Sequence, residues 1–320
     1  MPSGRERDPA NPPTRIAALA LLDRAIVRVL PAVPRRVVRR LSDRYIAGPE
    51  LADAVAVVRE LNAAGKKATL DVLGEEVVSA EEALAIRDEY ELAMTTIEAE
   101  GLDANVSVKP TGLGLAVDPE LCAESVRALA RIAAGHGRFV RMDMEDSSTT
   151  TATLDLYRRL RADGHDNVGI VLQAMLRRTL DDVAELAGLD PNVRVCKGIY
   201  VEPAEIAYQG DEAIRFNFVQ TISALWGSGA KVAVATHDDE LVAKALELIR
   251  ERGLGFERYE FQLLLGVRGE LADELVAGGH TVRIYVPYGQ KWYEYSLRRL
   301  QENPKIAGYV ARDTLRALKP

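Results

Sequence analysis

The chain alternates short apolar segments rich in β-branched residues with longer segments of helical periodicity. The short segments predict eight β-strands, at residues 68–74, 104–110, 138–145, 167–174, 192–198, 231–237, 258–265 and 281–289. The segments between them predict helices at 79–100, 118–136, 149–163, 177–188, 212–228, 238–252 and 268–278. No predicted strand is followed by the GxGxxG pattern of a doubly wound nucleotide-binding sheet. Strands and helices in this alternation therefore predict an α/β fold, a (βα)8 barrel.

The length and composition fit one large domain with short helical additions. The 320 residues, of which 48% are hydrophobic, can bury a full-sized core. We predict an N-terminal helical extension over residues 1–44, a barrel over 45–303 and a C-terminal helical tail over 304–320. The two cysteines are far apart in the sequence, and no secretory leader is recognisable. These features predict a cytoplasmic protein.

The formal net charge of −7 is unevenly distributed along the chain. Residues 1–44 carry ten arginines and four acidic residues, a net charge of +6, which leaves −13 for the other residues. A basic helical segment predicts either helices docked on a larger domain or peripheral contact with the inner face of a membrane. An acidic main body would repel nucleic acid, so we expect no nucleic-acid partner.

Polar residues stand at the ends of the predicted strands, where the active site of a (βα)8 barrel lies. They are Lys109, Asp143, Glu145, Gln173, Arg194, Lys197, Thr236, His237, Gln262 and Tyr285. Each residue alone is compatible with a salt bridge at the barrel rim, but together they predict a ligand site. The positive charges of Lys109, Arg194 and Lys197 favour a small anionic substrate or a phosphate-bearing cofactor.

The predicted helix after the eighth strand has a patterned polar face. Tyr295, Arg298, Arg299 and Glu302 stand at positions i, i+3, i+4 and i+7, so they share one side of the helix. Two adjacent guanidinium groups can bind a carboxylate through paired hydrogen bonds. A solvated face would have the same pattern, but the position directly after the eighth strand favours a role in the site.

Taken in order, the segments VSVKP, MDMED, VLQA, RVCKGIY, ATH, EFQ, YVPYG and YxxRRxxE resemble the motif set of the proline dehydrogenase family. The resemblance runs from about residue 45 to residue 302, which is nearly the whole predicted barrel. It implies oxidation of L-proline to Δ1-pyrroline-5-carboxylate by hydride transfer from C5 to N5 of a noncovalent FAD, the first step of proline catabolism. It also implies that a membrane quinone receives the electrons.

The resemblance implies roles for individual residues. Asp143 and Arg194 match the residues that are important for catalysis. The residues for L-proline would be Lys109, Arg298 and Arg299 at the carboxylate, with Tyr285, Tyr295 and Leu264 around the ring. The residues for the flavin would be Met144, Gln173, Arg194, Lys197, Gly198, Ile199, Thr236 and His237. No metal site is predicted, because Cys122 and Cys196 have neither a CxxC pair nor nearby histidine spacing.

Two positions depart from the family pattern, and two questions stay open. Ile199 replaces the alanine of many relatives, and Leu265 stands where a polar or aromatic residue is expected, so both departures are apolar replacements near the predicted pocket. No residue identifies itself as the base for the substrate amine; His237 is a candidate by type, and bulk water is the alternative. The substrate could also be a hydroxylated or methylated proline.

Two other classes of function compete with this assignment. Lys109 or Lys197 at a strand end could form a Schiff base, as in aldolases. A barrel that has lost catalysis and binds partners through its basic N-terminus is the second class, but it predicts erosion of the strand-end charges, which are intact. The chain ends soon after the predicted barrel, so we expect a monofunctional enzyme without a fused aldehyde dehydrogenase.

Overall fold

The structure is a computed structural model, which describes residues 39, 42, 44–75, 77–293, 295 and 296. The chain divides into two compact units, Ser42–Trp292 and Met1–Leu41 together with Tyr293–Pro320. The barrel lies in Ser42–Trp292. The predicted N-terminal helices, the C-terminal tail and the RRxxE part of the final helix fall almost entirely outside the described residues. The predicted domain boundaries at residues 44 and 303 therefore stay predictions.

Eight parallel strands close into a barrel in the order of the sequence. They are β1 (Lys67–Val72), β2 (Ala104–Val108), β3 (Val140–Met142), β4 (Val168–Gln173), β5 (Asn192–Cys196), β6 (Lys231–Ala235), β7 (Tyr259–Leu264) and β8 (Val282–Tyr288). The first and last strands pair from Lys67 with Arg283 to Val72 with Tyr288, which closes the sheet. The predicted (βα)8 barrel is confirmed.

A helix follows each of the first seven strands, as the sequence predicts. The helices of the barrel unit are α1 (Leu51–Ala63), α2 (Ala80–Ala99), α3 (Pro119–Gly135), α4 (Ser147–Ala162), α5 (Thr179–Glu185), α6 (Asp211–Gly227), α7 (Asp239–Glu251) and α8 (Gly269–Ala277). The helix α1 precedes the first strand and packs against both β1 and β8. Within the described ranges, no helix combines the length and apolar character that crossing a membrane requires.

The apolar strand residues and the inner faces of the helices form one continuous core. Leu70, Val106, Ile170, Leu154 and Phe218 are completely buried in it. Burial of each such side chain favours folding by roughly 1.5–3 kcal/mol. Because this layer lies between strands and helices, the opposite face of each strand points into the barrel.

The predicted and observed elements differ most around the third strand. The sequence predicts a strand over 138–145, whereas β3 ends at Met142. The following helix begins at Ser147 rather than at residue 149, because the Asp146 side chain accepts a hydrogen bond from the Ser148 backbone N–H at 2.9 Å. The short segment between them carries Asp143 and Glu145 beyond the end of β3.

Candidate active site

The inside of the barrel is polar near the carboxyl ends of the strands. Arg194 of β5 donates hydrogen bonds to Ser107 of β2 and to Gln262 of β7, and Tyr285 of β8 donates one to Asp143, just after β3. None of these strand pairs are neighbours in the sheet, so the contacts cross the barrel interior. Side chains from five strand ends therefore meet at one place, as predicted for the carboxyl edge of this fold.

Asp143 is the acceptor at the centre of this cluster. Its Oδ1 accepts from Ser107 Oγ and from Arg194 Nη1, both at 2.6 Å, and its Oδ2 accepts from Tyr285 OH at 2.8 Å. Burial by itself would raise the pKa of Asp143, but the charge of Arg194, followed by that of Lys109, outweighs burial and lowers it. Asp143 is therefore ionised and hydrogen-bonded on both oxygens.

Lys109, directly after β2, is a cation held by carboxylates. Its Nζ lies 2.5 Å from Asp71 Oδ1, 3.5 Å from Glu75 Oε1 and 3.9 Å from Asp143 Oδ2, and it donates to Tyr285 OH at 3.2 Å. Burial favours the neutral amine, but the nearby charges, that of Asp71 above all, raise the pKa of Lys109 well above its usual value. The side chain is 10% exposed, so its charge can reach a ligand at the carboxyl end of the barrel.

The sequence analysis missed Asp71, the main partner of Lys109. Asp71 is completely buried in β1, and the Tyr90 hydroxyl lies 3.3 Å from its Oδ1. Burial raises the pKa of Asp71 to about 6, against the opposing effect of Lys109. The signal was the alternation of Thr69 and Asp71 with Leu70 and Val72, which puts the polar pair on one face of the strand.

Arg194 has unused hydrogen-bonding capacity. Its Nε donates to Gln262 Oε1 at 2.5 Å and its Nη1 to Asp143, while its guanidinium carbon lies 5.3 Å from the centre of the Tyr285 ring. The third nitrogen, Nη2, is buried and has no hydrogen-bond partner among the residues that the structure describes. A buried donor without a partner is costly, so this group is suited to a ligand acceptor.

The residues predicted for the flavin line the rim from β3 to β6. Met144 is buried after β3, and Gln173 at the end of β4 donates to the Glu145 carbonyl at 2.7 Å. After β5, the Lys197 carbonyl accepts from the Met175 N–H at 2.8 Å, and the Lys197 ammonium lies 2.5 Å from Asp238 Oδ2. Ile199 is 46% exposed.

Gly198 stands where a side chain would not fit. Its φ of +100° lies in the left-handed region, and a Cβ atom there would lie 2.5 Å from Met175 Cγ. The backbone between Lys197 and Ile199 is therefore held tightly against Met175, the second residue after β4.

Thr236 and His237 follow β6, and His237 is not a free base. Its Nε2 accepts a hydrogen bond from the Leu264 backbone N–H at 2.9 Å. An amide N–H can only donate, so the ring is neutral and its proton is on Nδ1. The lone pair that would take a proton from the substrate is already in use. Thr236 Oγ1 accepts from the Asp238 N–H at 3.2 Å, which shapes the turn before α7.

Only some of the residues predicted to bind the substrate are among those that the structure describes. Lys109 and Tyr285 lie together, and Leu264 pairs with Tyr285 in the β7–β8 register. Tyr295 is buried but belongs to the other unit. Arg298 and Arg299 lie outside the described residues. Their assignment to the carboxylate stays a prediction.

Glu145 anchors the turn that follows Lys109. Its carboxyl accepts from the Thr111 N–H at 2.9 Å and is hydrogen-bonded to the Thr111 hydroxyl. Burial raises the pKa of Glu145 from 4.5 to about 7, although the bonds from Thr111 act against this. The folded state therefore holds this proton more tightly than the unfolded chain, so stability is lost as the pH rises from about 4.5 to about 7.

A Glu145→Gln variant is expected to remove this loss, because an amide offers one acceptor and one donor to Thr111 without a charge. Between about pH 5 and about pH 8, the free energy of unfolding of the wild type should fall by about 3 kcal/mol relative to the variant. Urea unfolding across this pH range measures the difference. The surface variant Glu124→Gln should keep the wild-type profile, and parallel profiles for Glu145→Gln and the wild type would contradict the raised pKa.

Known proteins resemble this chain over most of its length. The family profile described as proline dehydrogenase matches residues 54–312. Proline dehydrogenase 1 of Bacillus subtilis is 36% identical over 273 residues, which cover 85% of this chain and 90% of that protein. Proline dehydrogenase of Deinococcus radiodurans is 33% identical over 306 residues, which cover 94% of this chain and 98% of that protein.

A solved structure shows the same fold. Proline utilization A from Bdellovibrio bacteriovorus, inactivated by N-propargylglycine, superposes with a TM-score of 0.78 at 22% sequence identity. The match covers 88% of this chain but only 36% of that protein, so it bears on the fold alone. The family predicted from the motifs is confirmed by the profile and by the two bacterial relatives. The chain belongs to the proline dehydrogenase family.

Proposed function

We propose that this protein catalyses the FAD-dependent oxidation of L-proline to Δ1-pyrroline-5-carboxylate, the first step of proline catabolism. The observation that carries the proposal is the cluster of Asp143, Arg194, Tyr285 and Lys109, joined across the barrel by hydrogen bonds of 2.6–3.2 Å. The relatives named proline dehydrogenase support the same reaction. Asp143 and Arg194 are proposed as the catalytic pair.

The described residues fit a noncovalent flavin. The buried Arg194 Nη2, without a partner among the described residues, supplies a cationic donor for an acceptor on the flavin ring. Met144, Gln173, the Lys197–Ile199 segment, Thr236 and His237 would form the remaining contacts. FAD, when bound, accepts the hydride that leaves C5 of proline.

The cation Lys109 is proposed to bind the proline carboxylate together with Arg298 and Arg299. Tyr285, which contacts Lys109, and Leu264, which pairs with Tyr285 in the β7–β8 register, would pack around the ring with Tyr295. A carboxylate fixed by cations holds C5 in one orientation, so these residues act by positioning.

The hydrogen bond that His237 Nε2 accepts from the Leu264 N–H argues against His237 as the base for the substrate amine. Asp143, with a lowered pKa, is a weak proton acceptor. We therefore propose that bulk water takes the amine proton.

The hydrogen bonding of the two strand-end lysines argues against a Schiff-base enzyme. Lys109 has a pKa well above its usual value, so its amine is protonated and cannot attack a carbonyl. Lys197 is paired with Asp238 at 2.5 Å. Both side chains are therefore better suited to binding anions than to forming a covalent intermediate.

The first test is the absorbance spectrum of the purified protein, followed by anaerobic addition of L-proline. We expect the visible bands of an oxidised flavin and their bleaching by proline. A hydroxylated or methylated proline that bleaches the bands faster would revise the substrate. A colourless protein that takes up no added FAD would reject the proposed function.

Replacing Arg298 or Arg299 with Met is expected to raise the KM for proline about 10- to 100-fold, because each loses a charge-assisted hydrogen bond to the carboxylate. Flavin content should remain at the wild-type level. Steady-state kinetics with proline as the varied substrate measures the change. Lys291→Met, a change at an exposed lysine after β8, is the matched control and should leave KM unaltered. An unchanged KM in both arginine variants would reject the carboxylate assignment.

We further propose that a membrane quinone receives the electrons and that the protein is cytoplasmic, with its basic N-terminal residues in contact with the inner face of the membrane. The net charge of +6 over residues 1–44 supports this contact. Reoxidation of the proline-reduced protein by a soluble quinone analogue tests the acceptor. Cosedimentation with anionic but not with neutral vesicles tests the membrane contact.

A further inference from the structure

Below the catalytic pair, the barrel interior contains a chain of hydrogen bonds that ends on Arg194. Arg283 of β8 donates to Glu260 of β7 from Nε at 2.9 Å and from Nη2 at 3.2 Å. The Glu260 Oε1 also accepts from Gln262 Nε2 at 2.5 Å, and Gln262 Oε1 accepts from Arg194 Nε at 2.5 Å. All four side chains are shielded from solvent, with Arg283 the most exposed at 13%.

The two partners of the Gln262 amide, Glu260 and Arg194, fix its orientation. A carboxylate only accepts hydrogen bonds and a guanidinium only donates them. The amide must therefore turn its NH2 toward Glu260 and its oxygen toward Arg194. Flipping it would bring two donors together at Arg194 and two acceptors together at Glu260. The arrangement requires an ionised Glu260, and Arg283 lowers the pKa of that carboxyl to about 2 although burial acts to raise it.

We propose that Glu260 and Gln262 are positioning residues, which hold the Arg194 guanidinium against Asp143 and present its Nη2 to the flavin. The inference rests on the proposed function, because it assigns these residues a role through Arg194. With Nε bound to Gln262 and Nη1 bound to Asp143 and Ser107, the planar guanidinium has one orientation. Without the Gln262 acceptor, two of the three nitrogens lack a partner among the described residues, and the group can rotate.

Two variants test the proposal, Gln262→Met and Glu260→Gln. Methionine has a similar volume and removes the acceptor, while the Glu260–Arg283 pair remains intact. Glu260→Gln keeps the shape but permits the Gln262 amide to flip. Asn105→Ala is the control, because Asn105 Oδ1 also accepts from Arg283, at 3.2 Å, but has no bond to Gln262 or Arg194.

The decisive readout is the midpoint potential of the bound flavin. A cation held near the flavin stabilises the negative charge gained on reduction, so both variants should have a potential lower by about 30 mV, a tenfold change for a two-electron couple. We expect kcat to fall about tenfold and the KM for proline to change by less than about threefold, because Arg194 does not bind the carboxylate. The control should retain the wild-type potential and kcat.

The double variant, Glu260→Gln with Gln262→Met, separates positioning from a general structural role. If Glu260 acts through Gln262, the potential and kcat of the double variant should equal those of Gln262→Met alone. Additive effects, or a Gln262→Met protein with wild-type potential and kcat, would overturn the proposal while leaving the proposed function intact. A wild-type protein that binds no flavin would reject both. If Glu260→Gln fails to fold, Gln262→Met decides the question by itself.

Discussion

An Arg194→Met variant is expected to lose kcat by a factor of about a hundred to a thousand. Loss of one preorganised donor next to the reacting groups has this cost in other enzymes. Here the same change removes Nη2, which has no partner in the part of the chain that the structure describes, and one of the two hydrogen bonds to Asp143 Oδ1. Removal of the largest charge that lowers the Asp143 pKa should also raise that pKa. The rate of flavin reduction by proline under anaerobic conditions, as a function of pH, measures both effects.

Two further substitutions serve as controls: one keeps the positive charge at position 194, and the other removes an arginine at the surface. Arg194→Lys keeps the charge but replaces the planar guanidinium, which binds Gln262 and Asp143 through different nitrogens, by a single ammonium group, so its kcat should lie between those of the wild type and Arg194→Met. Arg127→Met removes a surface arginine that pairs with Asp163 at 3.1 Å, and it should have wild-type kinetics. Wild-type turnover by Arg194→Met with flavin bound would reject the catalytic assignment of Arg194.

Asp143→Ala is expected to lower the free energy of unfolding by about 3–5 kcal/mol, because it leaves buried cations without their shared carboxylate. Arg194 would lose the acceptor at 2.6 Å, and Lys109 a negative charge at 3.9 Å. The hydroxyls of Ser107 and Tyr285 would lose an acceptor as well. Chemical unfolding of the flavin-free proteins measures the loss, and the fall in Tm should be roughly 5–10 °C.

The same variant should have almost no activity, since Asp143 positions both Arg194 and Tyr285. Asp143→Asn retains one acceptor oxygen but loses the charge and the second acceptor, so it should be more stable than Asp143→Ala and less stable than the wild type. As a control, Asp163→Ala removes the surface partner of Arg127, and its free energy of unfolding should equal that of the wild type. An Asp143→Ala protein as stable as the wild type would show that the cluster contributes nothing to the fold.

The position of the site could be predicted from the sequence because parallel strands have their carboxyl ends at one edge. Once the strands were recognised, Lys109, Asp143, Arg194, Gln262 and Tyr285 could be expected near the same end of the barrel, because each lies in or just after a strand. The structure brings these five together through hydrogen bonds. Their roles with FAD and proline remain predictions, and Arg298 and Arg299 lie outside the described residues.

Asp71 and Glu260 could not be selected from the sequence in the same way. Both lie inside apolar strand segments, ATLDVLG and RYEFQLLL, where alternation shows that they share a face with other polar residues but not which face is inside. Their importance comes from partners far along the chain, Lys109 and Arg283. Sequence periodicity reports the face of a strand, whereas pairing across a barrel requires the closed structure.

The pairing of β1 with β8 has a consequence for how the protein is made on the ribosome. The sheet closes between Lys67–Val72 and Val282–Tyr288, so no ring can exist before nearly the whole barrel sequence has emerged. Until then β1 has an open edge, and Lys109 and Asp143 lack Tyr285. During most of its synthesis, the nascent chain therefore contains charged side chains whose hydrogen-bond partner has not yet been synthesised. We expect chaperone dependence to end abruptly at the chain length that releases β8 from the ribosomal tunnel.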